Sequence, residues 1–477
     1  MKNKKKVLII GIIAVVLITA VVCAGIFIFG SDKEEPSLKQ VLKEKLNAYE
    51  TDLSDSTGSF KTNDDVADYL LNWAKNKEIS ATKDETGNVI FTIPATEEGE
   101  DVSPVAVICS FDANNMDSHT IEMASAMCIS NNLRANGKIT VVFMAEDGTD
   151  KYGAEGFDIN HFTDDTQVLF LNDTNSYRVS TVTAGYRQYR FTDEIDYDKA
   201  KFSKAYKITI SNCPSVPMGE GSAAIPNPIK TLGNLLANFK STSLLHELAA
   251  FTGGSDASVT PASASITVLI SDSDVEKFTK RMDTAIEKFN EKYAEKYPDI
   301  KYTYKEVSAP SNALSKDDTE NVISLLYTAF NGVYYKDDDG NVVSFTNIGK
   351  IRTNDGKLTI HTAAMGTDND NLIEISESYK TICGLCDMTY RRTSSKALYN
   401  GTKLTEDFLT AFETSYLEFT DDESLKVEAS PVYSSCSVLH DKNDELQILF
   451  LGITEKTKHK LTGSMVTYIH DLCGYEE

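Results

Sequence analysis

The chain has 477 residues and carries a formal net charge of −24. That length allows two or three domains with sizeable cores. Nucleic-acid binding needs a basic surface, so the excess of acidic side chains argues against nucleic acid as a partner. An acidic composition of this kind is typical of a well-solvated surface.

The N-terminal thirty residues differ from the rest. Lys2, Lys4, Lys5 and Lys6 precede an uncharged apolar run over residues 7–29. At about 1.5 Å per residue, the run is long enough to cross the roughly 30 Å core of a bilayer as a helix. It is too long for the apolar region of a cleavable signal peptide, and it lacks the small-residue cleavage site that ends one. We expect a single-pass anchor in the cell membrane, with the N-terminus inside and the bulk of the chain extracytoplasmic.

The eight cysteines are scattered rather than closely spaced, which is not typical of a disulfide-stapled module. Cys383 and Cys386 form a CxxC pair without a second pair or a neighbouring histidine. We expect buried free thiols there, with a redox or metal pair as the alternative. Cys23 lies inside the apolar run, which leaves a lipoprotein anchor as the alternative to a transmembrane helix.

Hydrophobic patterning predicts an α/β organisation in the first part of the chain. Helices are expected at 38–49, 66–73 and 120–133, and strands at 89–93, 105–110, 139–144 and 168–171. The last three strands are short apolar runs, and each ends in polar or acidic residues. This pattern is typical of a mostly parallel sheet with one acidic edge.

The pattern changes at about residue 182. Strands are expected at 206–210, 265–270 and 300–307, a hairpin at 337–340, and helices at 225–239, 273–297 and 319–330. We interpret these elements as an α+β block that interrupts the first domain. After it, helices are expected at 373–386, 405–419 and 461–472, and strands that rejoin the first sheet at 427–429 and 446–452.

The stretch after the strand at 105–110 is the most informative for function. Side chains at the carboxyl end of a buried α/β strand face the crevice where such sheets carry out their chemistry. Many zinc peptidases begin their metal site there with His-x-Asp, in which the His is a ligand and the Asp orients it. Here the first position is Ser110, while Asp112 is kept.

Several stretches along the chain point to one family. They are Leu70-Leu-Asn-Trp-Ala74, Asp84-Glu-Thr-Gly-Asn-Val-Ile90, Ile93-Pro-Ala-Thr96, Asn227-Pro-Ile-Lys230, Phe330-Asn-Gly-Val333, 342–349, Lys426-Val-Glu-Ala429, Cys436 and Gly452 with His459. Together they resemble the aminoacyl-histidine (Xaa-His) dipeptidases, di-zinc exopeptidases related to the carnosinases and aminoacylases.

The resemblance implies a fold class and a domain plan. The fold is α/β, with the mixed, mostly parallel sheet of a zinc-exopeptidase-like catalytic domain interrupted by an α+β lid domain. The expected domains are 1–30 as cytoplasmic tip and transmembrane anchor, 31–181 and 362–477 as the two parts of the catalytic-like domain, and 182–361 as the lid. The resemblance also implies two zinc ions at the edge of the sheet, and a possible homodimer through the lid.

The resemblance places functional residues one position at a time. Glu146 matches the general base and Asp147 the ligand after it, and Asp173 matches the next ligand. His459 matches the last ligand, seven residues after Gly452. Asp112 matches the aspartate that orients the first metal-binding histidine.

Other functional positions of the family are lost. The first metal-binding histidine falls on Ser110, and the bridging aspartate falls on Ser118. His119, next to Ser118, is no equivalent bridge, although it or His459 could help Asp147 and Asp173 hold one cation. On the substrate side, the lid histidine falls near Val216 and the Arg-Ser-Ser that meets the substrate falls near 364–366.

A two-zinc site needs anionic or imidazole ligands at nearly every position, and a serine hydroxyl is a poor zinc ligand. We therefore expect one zinc ion or none rather than two, since the water-activating metal pair loses its first ligand and its bridge. The first hypothesis is a membrane-anchored, catalytically impaired dipeptidase-like protein that binds a small peptide or a cell-wall fragment. The alternative is an active zinc-dependent exopeptidase on small peptides, with a reduced metal site and Glu146 as general base.

Overall fold

The computed structural model describes residues 36–147, 150–174 and 176–475. The transmembrane segment expected at 7–29, and Cys23 within it, lie outside these residues. Within the described ranges, no helix is both long enough and apolar enough to cross a bilayer.

Helices and strands occupy most of the described chain. The α-helices are α1 (Leu38–Ser56), α2 (Asn63–Asn76), α3 (Thr120–Ser130), α4 (Tyr152–Gly156), α5 (Pro228–Ser241), α6 (Val275–Tyr293), α7 (Lys316–Thr328), α8 (Asn369–Leu385), α9 (Lys403–Phe419), α10 (Cys436–Lys442) and α11 (Lys458–Leu472). The strands are β1 (Ser80–Lys83), β2 (Val89–Ile93), β3 (Val105–Phe111), β4 (Ile139–Ala145), β5 (Gln167–Asp173), β6 (Arg178–Ser180), β7 (Val182–Thr183), β8 (Gly185–Glu194), β9 (Tyr197–Lys199), β10 (Lys204–Ser211), β11 (His246–Gly254), β12 (Ala264–Ile270), β13 (Lys301–Val307), β14 (Asn312–Leu314), β15 (Gly332–Lys336), β16 (Val342–Asn354), β17 (Lys357–Gly366), β18 (Thr389–Lys396), β19 (Tyr399–Asn400) and β20 (Gln447–Ile453).

The first sheet has seven strands in the order β1-β2-β4-β3-β5-β20-β6. Its four central strands run parallel, and the others join antiparallel. Every residue of β3 and β4 is buried, as expected for strands covered on both faces. The predicted strands at 105–110, 139–144, 168–171 and 446–452 are confirmed. The strand predicted at 427–429 is wrong, because that segment makes only an isolated bridge from Val427 to Val179.

Helix α3 is buried on all sides, and each of its residues from Thr120 to Ser130 is inaccessible or nearly so. Helix α2 begins at Asn63, three residues before the helix expected at 66–73. Thr62 is the N-cap, and it forms a capping box with Asp65. These two helices bring polar side chains to the same end of the first sheet.

The second sheet is antiparallel, with the order β13-β10-β12-β11-β16-β17-β8-β18 and with β15 paired to β16. Helices α5 to α8 supply much of its core through Leu232, Phe278, Leu325 and Tyr379. The lid boundary expected at 361/362 falls inside β17, which pairs with β8 along its whole length. Strand β18 pairs with the other side of β8, so the sheet reaches residue 396 rather than ending at 361.

The cysteines of the described ranges are free thiols. Cys383 and Cys386 lie buried at the end of α8. Burial raises the pKa of the Cys383 thiol to about 12, so it stays protonated at neutral pH and is a poor nucleophile or ligand.

Candidate functional site

Three parallel strands end side by side at one edge of the first sheet. Strand β3 ends at Phe111, which pairs with Ala145 at the end of β4, and β5 runs parallel on the other side of β3. The next residue after β3 is Asp112, the next after β4 is Glu146, and β5 ends at Asp173. The topology therefore brings the predicted acids to one edge.

Glu146 is almost completely buried, with 3% of its surface exposed. Its Oε1 atom accepts hydrogen bonds from the hydroxyls of Ser110, at 2.7 Å, and Ser435, at 2.9 Å. Its Oε2 atom accepts a hydrogen bond from the Lys151 ammonium. Both carboxylate oxygens are thus engaged by side chains of the chain itself.

Lys151 provides the positive charge next to Glu146. Its side chain is 11% exposed and forms an ion pair with the carboxylate. Two buried ions are tolerated when they neutralise each other and their remaining hydrogen bonds are made. With two serine hydroxyls completing the contacts, Glu146 is balanced without any external cation.

A second buried acid, Glu122, lies on α3 and is fully inaccessible. One of its oxygens lies 2.7 Å from His119 Nδ1 and accepts a 3.3 Å hydrogen bond from the Ser110 amide. The other accepts from the amide of Asp173. Burial alone would lower the pKa of His119, but the hydrogen bond and charge of Glu122 outweigh burial and raise that pKa. Burial also raises the pKa of the Glu122 carboxyl. His119 and Glu122 therefore form a second close hydrogen-bonded pair inside the fold.

Asp173 is another acid at this edge whose ionisation is perturbed. Burial, followed by the negative charge of Glu122, raises the pKa of Asp173 to about 7. A carboxyl with such a pKa is partly protonated near neutral pH. The surroundings of Asp173 therefore disfavour its anion, which is the form that binds metal.

The remaining predicted site residues are Asp112, Asp147 and His459, and each has a different local environment. Asp112 is 5% exposed and accepts a 2.9 Å hydrogen bond from the Asn114 amide, as the N-cap of a short 3-10 helix. Asp147 is exposed, and its backbone forms a two-way bridge with Asp150. His459 lies in the first turn of α11, where its charge affects Glu455.

These side chains do not form a metal centre. Across residues 36–147, 150–174 and 176–475, no three His, Cys, Asp or Glu side chains are arranged to hold a metal ion. The predicted ligands Asp147, Asp173, His459 and His119 are therefore not assembled into one site. The Ser110 hydroxyl donates to Glu146, and an ammonium lies where a cation would have to approach that carboxylate. The residues present do not fit a pair of zinc ions.

Sequence reasoning missed three members of this cluster: Lys151, Glu122 and Ser435. Glu122 had a usable signal, since it is the only charged residue in the otherwise uncharged segment of α3. A lone acid in such a segment is normally paired when it is buried. Lys151 comes five residues after Glu146, in a stretch whose sequence has no periodicity. Ser435 is 289 residues from Glu146 in the chain, and nothing in the sequence links the two.

Comparisons with known proteins agree with this fold. No protein-family model matches the chain. It is similar to the cytosol non-specific dipeptidase of Escherichia coli, with 22% identity over 378 residues, 70% of this chain and 76% of that protein. The crystal structure of aminoacylhistidine dipeptidase from Vibrio alginolyticus matches with a TM-score of 0.63 and 18% identity, covering 86% of this chain and 93% of that one. The chain therefore has the fold of the aminoacylhistidine dipeptidases and resembles that family in sequence, as its motifs predicted.

Proposed function

We propose that this protein keeps the dipeptidase fold but does not hydrolyse peptides, and acts by binding. The observation that carries the proposal is the state of Glu146, the residue that matches the family's general base. Lys151, Ser110 and Ser435 engage both oxygens of its carboxylate in a nearly inaccessible position.

A general base must lie within hydrogen-bond reach of the proton that it takes from water. To reach Glu146, a water molecule would have to displace the Lys151 ammonium or one of the two serine hydroxyls. Displacing Lys151 would leave a buried carboxylate without its counter-charge, which is strongly unfavourable. The alternative of an active exopeptidase with a reduced metal site needs an accessible Glu146 and an assembled ligand set. The geometry of the edge supports neither.

The ligand in this proposal is a small peptide or a cell-wall fragment bound near the edge of the first sheet. Residues 7–29 would anchor the chain in the cell membrane and hold the binding domain on the outer side. A homodimer through the second sheet and its helices is part of the same expectation, because it is implied by the family resemblance.

The test is peptide hydrolysis by the full-length chain in an uncharged detergent, with and without added zinc. The Escherichia coli cytosol non-specific dipeptidase serves as the positive control, and Xaa-His dipeptides are the substrates. We expect no hydrolysis above the buffer blank in either condition, together with saturable dipeptide binding by calorimetry.

Zinc-dependent hydrolysis would contradict the proposal if it disappears in Glu146→Gln and persists in Glu155→Gln. Glu155 is a suitable control because it is a nearby but exposed carboxylate that pairs with Lys396. A lack of both hydrolysis and dipeptide binding would contradict the binding role.

A further inference from the structure

A groove of about 530 Å³ lies between α5 and α6, with Tyr302 of β13 at its floor. We call it the α5–α6 groove. Its walls carry four cationic side chains, Lys277, Lys280, Arg281 and Lys288, and none of the residues that line it is acidic. In a chain with a net charge of −24, a groove whose charged lining residues are all cationic is unusual.

The four cations follow the spacing of one helix face. On α6, Lys277 comes three residues before Lys280 and four before Arg281, and Lys288 comes seven residues after Arg281, so the four side chains fall on one face of the helix. Asn234 and Asn238 of α5 face them across the groove. The Arg281 guanidinium donates a 3.2 Å hydrogen bond to Asn238 Oδ1, so the asparagines help to position it.

Among the residues that the structure describes, the groove cations form no ion pair with an acid. Lys277 donates to the backbone oxygen of Ser243 at 3.1 Å, whereas Lys204 of β10 and Lys240 near the end of α5 each form an ion pair with a glutamate. The Nε atom of Arg281 is buried and finds no acceptor among the described residues. This buried donor is a second sign that an acceptor from outside belongs in the groove.

Placing these charges together costs stability. Like charges three or four residues apart on a helix repel each other, and an acid on the same face would relieve the repulsion. Helix α6 also contains the acids Glu276, Asp283, Glu287 and Glu291. None of them lines the groove, and Asp283 accepts a hydrogen bond from Tyr304 at 3.1 Å. The cations are therefore left available to a ligand.

We propose that the α5–α6 groove binds a linear phosphate polymer. From residue 277 to 288 the helix rises about 16 Å, which is too long for one phosphate but suits successive phosphates along a chain. A guanidinium and amide donors match phosphate oxygens well. This groove is separate from the edge of the first sheet, so the proposal does not depend on whether that edge is catalytic.

Two other occupants fit less well. Single-stranded nucleic acid is held by aromatic side chains on which bases stack, but Phe289 and Tyr302 are only 7% and 6% exposed at the groove floor. A second copy of the chain placed by two-fold symmetry would bring the same cations face to face, which disfavours a dimer through this surface.

The experiment measures binding of a short-chain polyphosphate of defined length to the full-length protein in an uncharged detergent. Inorganic phosphate and a single-stranded oligonucleotide of matched charge are the comparison ligands. The groove variant is Lys280→Glu with Lys288→Glu, two exposed positions. The matched control, Lys316→Glu with Lys380→Glu, makes the same charge change at lysines that are 82% and 64% exposed on other helices.

We expect saturable polyphosphate binding that weakens about tenfold or more in the groove variant and less than about twofold in the control. A fourfold rise in salt should weaken binding by the wild type about 50-fold if the four cations neutralise four phosphate charges. The proposal is overturned by equal loss in both variants, by no polyphosphate binding, or by equally tight binding of inorganic phosphate. Tighter binding of the oligonucleotide, or a dimer that dissociates in the groove variant, would also overturn it.

Discussion

Two regions of this molecule contain clusters of charged side chains, but in one the charges are buried and paired, whereas in the other they line an open groove. At the edge of the first sheet, the buried Glu146 forms an ion pair with Lys151, and the buried Glu122 lies 2.7 Å from His119 Nδ1. In the α5–α6 groove, four cations line an open surface without an acid among them. At the edge where the sequence resemblance predicts metal ligands, the Glu146 carboxylate is therefore occupied by the chain's own Lys151 ammonium. Charge that a ligand can reach lies instead on the second sheet's helices.

The largest expected effect comes from removing Lys151. Lys151→Met leaves Glu146 buried without its counter-charge, and loss of one partner of a buried ion pair costs about 3 kcal/mol or more. We expect this loss in the free energy of unfolding from urea titrations of the full-length protein. Lys151→Met combined with Glu146→Gln should recover most of it. A loss below about 0.5 kcal/mol in the single variant would show that the pair is not buried as described.

Ser435→Ala should have the next largest effect. The Ser435 hydroxyl donates to Glu146 Oε1 at 2.9 Å, and a hydrogen bond to a charged group is worth about 2 kcal/mol. The same urea titration measures the loss. In a Glu146→Gln background, the serine should matter less, since its acceptor is then neutral. An equal loss in both backgrounds would mean that the serine acts through packing alone.

The third prediction concerns Asp173 and pH. Because its pKa is about 7 when folded and near 3.8 ordinarily, the folded chain holds its proton more tightly, and ionisation costs stability as pH rises from 4 to 7. Asp173→Asn removes that cost. We expect the free energy of unfolding of Asp173→Asn to exceed that of the wild type by about 1 kcal/mol or more at pH 8, a figure discounted for partial exposure. At pH 4 the two free energies should be almost equal.

Asp147→Asn, at an exposed position, is the control for this experiment and should show no such pH dependence. If Asp173→Asn instead destabilises the protein at pH 8, the ionised Asp173 carboxylate makes a stabilising interaction in the folded protein, as a ligand to a cation would. That result would weaken the contrast between the two regions.

The smallest expected effect belongs to the groove. Lys280→Glu with Lys288→Glu changes exposed side chains that have no ion pair to lose, so the free energy of unfolding should change by less than about 0.5 kcal/mol. A loss of several kcal/mol would show that these lysines stabilise the fold and are not held for a ligand.

The parts of the fold that could be predicted follow from local patterning. Strands β3, β4 and β5 are built on apolar runs, and parallel pairing places the acids at their ends along one edge of the sheet. The positions of Glu146 and Asp173 could therefore be predicted from the sequence. The spacing of the cations on α6 could also have been read from its sequence.

The pairing of those charges could not be predicted, because it depends on contacts between distant segments. Lys151 comes after Glu146 in a stretch whose sequence has no periodicity, and Ser435 is 289 residues away from Glu146 in the chain. The extent of the second sheet could not be predicted for a related reason. Strand β18 completes the second sheet by pairing with β8, about 200 residues earlier, and no local signal records that pairing.

The most direct test of the central claim is anomalous diffraction at the zinc edge, from crystals of the protein grown with zinc. The account predicts the Lys151 ammonium on the Glu146 carboxylate and no anomalous peak at the edge of the first sheet. Two peaks a few ångströms apart, coordinated by Glu146, Asp173 or His459 with Lys151 turned away, would contradict it.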